Sequence, residues 1–152
     1  MIKTRHKPIS IIRAVSFWDI RMVMRIKRTV DIAMSNYEGI IGSSVFSYEG
    51  KVAYATDNMK LDMQDLHTIL SAWNGGTSNF NVKQISFLTA MAENNGFVAI
   101  NPEGAISLIV GTGKGVWFVS CFAPMDQDKS GILRECIQAA KLLEASVSVL
   151  DV

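Results

Sequence analysis

A chain of 152 residues, 49% hydrophobic and 19% charged, is long and apolar enough to bury a core of its own, which excludes a disordered segment. Cys121 and Cys136 are too few for a secreted disulfide framework and are spaced unlike a metal knuckle, and no apolar run approaches the roughly 18 residues of a membrane span. The net charge of +1 hides an asymmetry: residues 1–35 hold eight cations (Lys3, Arg5, Lys7, Arg13, Arg21, Arg25, Lys27, Arg28) against Asp19 and Asp31, so they carry +6 and the other 117 residues −5.

In chain order, residues 1–17 show no sustained period and contain Pro8, and are expected to form a mobile basic arm ahead of a domain over 18–152. Arg13 interrupts the apolar stretch Ile9, Ile11, Ile12, and no small-residue cleavage site follows, so a cytoplasmic rather than exported protein is expected. Met34, followed by Ser35, is a second candidate translation start, which would leave the arm unexpressed. Ile20, Val23, Met24, Ile26, Val30, Ala33 and Met34 share one side of a helical wheel and Arg21, Arg25 and Arg28 the other, predicting an amphipathic helix over about 18–36. Lys27 and Asp31, four apart, can pair.

From Ile40 the period becomes two, and Glu49-Gly50 breaks it, predicting antiparallel strands at about 40–48 and 51–56. A helix follows with Asp62 as its N-cap, a stripe of Met63, Leu66, Ile69, Leu70 and Trp73, and Gly75 as its stop. Residues 80–95 fit two periods. Ala90, Ala92 and the length of the run favour a helix there, ended by Gly96. Three strands are then expected, at Phe97–Ile100, Ala105–Val110 and Val116–Phe122, with Pro102 and Gly104 in a type I turn. Pro124 ends the sheet, and Ile132, Leu133, Cys136, Ile137, Ala140, Leu143 and Val147 predict a closing helix over about 127–148.

Little in this pattern suggests catalysis. Gly113-Lys114 resembles the end of a phosphate-binding loop, but Leu108 and Gly115 stand where that motif needs Gly and Ser or Thr, and a strand follows instead of a helix. A hairpin turn with an exposed Lys is the simpler reading. Neither His6 nor His67 is spaced to share a metal with a cysteine, and Cys121 and Cys136 read as buried thiols, not nucleophiles. Asp126 and Asp128 suit the start of the last helix better than an acid–base pair. No enzyme activity and no cofactor are expected.

The order helix, hairpin, helix, meander, helix, with Ile40-Ile41-Gly42-Ser43-Ser44-Val45-Phe46 leading into Tyr48-Glu49-Gly50-Lys51-Val52, resembles the roadblock/LC7 superfamily, in particular a poorly characterised prokaryotic branch. The resemblance covers about residues 18–148. It implies an α/β (α+β) fold: a five-stranded antiparallel sheet flanked by helices on both faces, two on one and the middle helix on the other, in a roadblock/profilin-like layered architecture. It also implies a homodimeric scaffold or regulator of a partner protein, such as a small GTPase or a multi-protein complex. The dimer surface would be Met63, Leu66, Leu70 and Trp73 of the middle helix with Phe97 and Ile100 on an open strand edge. Two alternatives stay open: a small-molecule sensor, and phosphate or peripheral membrane binding through Arg21, Arg25 and Arg28, with nucleic acid the less favoured ligand.

Overall fold

The computed structural model describes residues 9–75 and 77–151, with side chains for 21–75 and 77–150. Helix α1 (Ile9–Met34) leads into strands β1 (Gly42–Ser47) and β2 (Val52–Ala55), and a short 3-10 turn (Asp57–Met59) precedes helix α2 (Met63–Trp73). Strands β3 (Asn79–Val82), β4 (Ile85–Ala92), β5 (Gly96–Asn101), β6 (Ile106–Thr112) and β7 (Trp117–Pro124) follow, then helix α3 (Lys129–Ser146) and a final 3-10 turn (Val149–Asp151). All seven strands pair antiparallel in the order β2-β1-β7-β6-β5-β4-β3.

Alternation along the central strands builds two cores. Val45, Val98, Ile109, Trp117, Val119 and Cys121 face α1 and α3, where Ile26, Val30, Ile132, Cys136 and Leu143 meet them. Their neighbours Phe46, Phe97, Leu108, Val110, Phe118 and Phe122 face Leu66, Ile69 and Ala72 of α2. The expected layering of two helices on one face and the middle helix on the other is therefore present. The second core is aromatic: Phe46 stacks on Phe118 with centroids 5.2 Å apart, and Phe87 on Phe122 at 6.0 Å. On the other side of the sheet α3 lies so close that a Cβ on Gly111 would stand 2.7 Å from the Ile137 backbone nitrogen. A side chain at Gly111 would lift the helix.

Local chemistry sets the ends of α2 and α3. The Asp62 carboxylate accepts from the Asp65 amide at 2.8 Å while Asp65 accepts from the Asp62 amide at 3.0 Å, a reciprocal cap, and Gly75 follows with φ 85°. Asp128 caps α3 through the Gly131 amide at 3.1 Å. Gly50 takes φ 86° in the β1–β2 turn.

Three expectations need correction. The sheet has seven strands, not five. The missing pair is β3 and β4, which occupy most of the run 80–95 expected to be helical. Their turn residues Lys83 and Gln84 have φ 54° and 66°, the left-handed pair of a tight hairpin turn made without the usual Asn or Gly, and a bulge between Thr89 and Met91 breaks the alternation of β4. Finally, α1 begins at Ile9 instead of about 18, because no Gly or Pro interrupts the chain from there to Met34. Residues 9–17 of the expected arm are thus helical, and residues 1–8 lie outside the described residues.

Candidate partner-binding surface

At one end of the sheet four elements are tied together by polar contacts. The Trp73 indole Nε1 donates to the Glu93 carbonyl at 2.6 Å, joining the end of α2 to the β4–β5 turn. The Asn95 side-chain amide in that turn donates to the carbonyls of Thr112 (3.0 Å) and Gly113, joining it to the β6–β7 turn. The Glu144 carboxylate of α3 then accepts from the amides of Lys114 (2.9 and 3.1 Å), Val116 (2.9 Å) and Trp117 (3.1 Å). The glycine-rich loop does gather its amides around an anion, and that anion is the chain's own carboxylate. Lys114 is exposed in a hairpin turn, as expected.

Between α2 and these turns lies a cleft of about 390 Å³, with Leu70, Trp73 and Phe118 on its apolar side and Asn74, Glu93 and Thr112 among its polar lining. The Trp73 ring stacks on Phe97 at 5.6 Å and meets Phe118 edge-on at 5.8 Å, so one side of the indole is held by the core while the residue stays half-buried. An apolar wall with a few polar groups at its rim is the composition of a binding site.

The residues expected at a dimer surface separate into two groups. Leu66 and Phe97 are 1% and 0% exposed, committed to the chain's own core, and Ile100 is half-buried. Leu70 and Trp73 reach the cleft, and Met63 stands 65% exposed beside Gly50 at the other end of α2. Strand β5, expected to offer an open edge, pairs with β4 on one side and β6 on the other. The open edges of the sheet are β2 and β3. On β3 the Thr77 hydroxyl donates to the Asn79 carbonyl at 2.8 Å and accepts from its amide at 3.2 Å, which occupies both backbone groups of that residue. Arg21, Arg25 and Arg28 are exposed on α1, away from the cleft-bearing face.

The groups considered for chemistry are divided by the sheet, the two thiols on one side and the histidine of α2 on the other. Cys121 and Cys136 are fully buried between the sheet and α3, whereas His67 is exposed on α2 across the sheet. Contact with the Cys121 thiol, burial and nearby negative charge hold the Cys136 thiol well above its ordinary pKa, the reverse of an activated nucleophile. No group of three or more His, Cys, Asp or Glu is placed to hold a metal among the described residues. No helix among them is long and apolar enough to cross a membrane.

No family model matches the chain, and no curated protein matches it in sequence. Its fold, by contrast, is similar to that of solved structures, profilins among them. LokiProfilin1, solved alone and in complex with rabbit actin, matches with a TM-score of 0.70 at 16% and 15% identity, over 82% of this chain and 98% and 97% of the profilin. LokiProfilin2, in complex with rabbit actin, matches with a TM-score of 0.70 at 14% identity over 81% and 98%. Acanthamoeba castellanii profilin IA follows with a TM-score of 0.62 at 12% identity over 76% and 94%. The chain therefore has a profilin-like fold, and the expected roadblock/LC7 membership is overturned. The residues that suggested it, Gly42-Ser43 and Glu49-Gly50, mark a strand and a turn common to many antiparallel sheets, and specify neither strand number nor family.

Proposed function

We propose that this chain is a non-catalytic binding protein whose partner is an actin-type protein. The observation that carries the reading is the match to nearly the whole length of LokiProfilin1 and LokiProfilin2, both solved in complex with rabbit actin. Among the described residues the thiols are sealed in one core and His67 lies across the sheet from them, an arrangement that supports binding over catalysis. Homodimerisation and a small GTPase partner came with the roadblock resemblance and have no other support, since the strand expected to pair with its mate is already paired on both sides.

Purified chain and monomeric rabbit actin, mixed and separated by sedimentation velocity, test the proposal directly. A co-sedimenting complex is expected. The reading fails if no complex forms under conditions in which LokiProfilin1 binds the same actin.

A further inference from the structure

The cleft between α2 and the β4–β5 and β6–β7 turns joins one flat aromatic wall to one carboxylate. Phe97 stacks against the Trp73 ring at an interplanar angle of 23°, and Phe118 meets it nearly perpendicular, at 82°. The ring is still only half-buried and lines the cleft, so part of the indole is open to an occupant. Glu93 lines the same cleft and is exposed, and its carboxylate makes no ion pair or hydrogen bond among the described residues. No lysine or arginine stands among the lining residues to neutralise it. Ring and acid are also fixed relative to each other. The bond that pins the indole, from Nε1 at 2.6 Å, goes to the backbone carbonyl of Glu93 itself, and Asn95 ties that turn to the β6–β7 loop. Little ordering is left for an occupant to impose.

We propose that this cleft receives an arginine side chain of a partner polypeptide. A guanidinium is planar, stacks on an aromatic face and forks onto a carboxylate, so one ring and one acid suffice to recognise it. A methylated ammonium is better served by a cage of several aromatic walls, and a lysine ammonium is a point charge that gains less from a flat one. Leu70 extends the apolar wall where the methylene stem of an arginine would lie. Asn74 and Asn94, both exposed, offer amides that donate and accept, which suits the peptide backbone on either side of that arginine. The charge of the surrounding body agrees, since residues 36–152 carry −5 and attract a cationic segment.

The test is an NMR titration of the isotope-labelled full chain with the blocked peptide Gly-Gly-Arg-Gly-Gly, and with the same peptide carrying citrulline or lysine in place of the arginine. Saturable shifts are expected at the Trp73 indole N–H and at the backbone amides of Glu93, Asn94 and Asn95. Citrulline has nearly the shape of arginine without its charge, and its peptide should bind about tenfold more weakly. Glu93→Gln should weaken the arginine peptide by about the same factor, with an unchanged melting curve because the carboxylate is exposed and unpaired. Glu103→Gln, in the β5–β6 turn at the other end of the sheet, should change nothing. Equal binding of the citrulline peptide, undiminished binding by Glu93→Gln, or an equal loss in Glu103→Gln overturns the proposal. So does a lysine peptide that binds as tightly as the arginine one, which makes the cleft a general cation site. Methylguanidinium alone should bind more weakly than the peptide, and equal affinity would replace the polypeptide with a small molecule. Absence of shifts at Trp73 and the three amides at millimolar peptide also overturns it. No actin is present in the titration, so its outcome is independent of whether the chain binds actin.

Discussion

The contact between Glu144 and the β6–β7 turn makes a quantitative prediction that involves a glycine as well as the acid. Removing the carboxylate by Glu144→Ala leaves the amides of Lys114, Val116 and Trp117 without their acceptor. Lys114 is exposed and water replaces its partner, but Val116 is half-buried and Trp117 fully buried. Two charge-assisted bonds at about 1.5–3 kcal/mol each, less some recovery by water at Val116, give a loss of about 3 kcal/mol. At 2–4 °C per kcal/mol for a chain of this size, the melting temperature falls by roughly 10 °C. Gly113→Ala should reproduce most of that loss, because its new Cβ would overlap Glu144 Oε1. Gly113 itself is not among the positive-φ glycines, so the backbone tolerates alanine and the loss comes from displacing the carboxylate. The double variant Gly113→Ala with Glu144→Ala should therefore melt close to Glu144→Ala alone. Thermal denaturation of the four proteins closes the cycle, with amide exchange at Val116 and Trp117 as a local readout. Two independent, additive losses would refute the reasoning.

Two further outcomes follow from the cleft and the hairpin. Trp73→Ala should cost about 3 kcal/mol, the lower end for a core tryptophan because the residue is half-exposed, whereas Trp73→Phe keeps the stacking and forfeits only the bond to Glu93, about 1 kcal/mol. Urea unfolding distinguishes these values, and an unchanged midpoint for Trp73→Ala would remove the residue from the chain's own core. Gln84→Gly should stabilise the protein by about 1 kcal/mol, since Gln84 holds φ 66° at the cost an L residue bears there. Lys83 is better left in place, its ammonium being 3.7 Å from Asp65. A lower melting temperature for Gln84→Gly would show that the turn is held by something other than its backbone geometry.

Elements were legible where one short stretch both starts and stops them. Helix α2 carries its cap at Asp62, its apolar stripe and its Gly75 stop within fourteen residues, and all three do what their chemistry suggests. The β5–β6–β7 meander was legible for a similar reason, with glycines and Pro102 separating three alternating runs. The β3–β4 hairpin lacked such marks. Its turn uses Lys and Gln at positive φ, its bulge shifts the alternation at Ala90, and of the eight β4 residues only Phe87 is buried. With so little of one face covered, the period of two is weak and the alanines tilt the reading towards helix.

The site divides along the same line, between what neighbours in sequence reveal and what only the fold brings together. The cationic arc of α1 follows from spacing alone, because residues three and four apart on a helix must share a face. Glu144 could not be found that way: 30 residues separate it from Lys114, and nothing in its local sequence sets it apart from Glu135 or any other helical acid. The glycines did carry a signal, but an incomplete one. Gly115 is needed for its φ of 85°, Gly111 because the α3 backbone presses against it, and Gly113 because a carboxylate occupies the space beside it. A run of glycines therefore shows that something approaches the backbone closely. Whether that is a ligand phosphate or the chain's own helix depends on which element the topology lays across the loop, and here α3 packs directly over β6 and β7, so the position is taken from within.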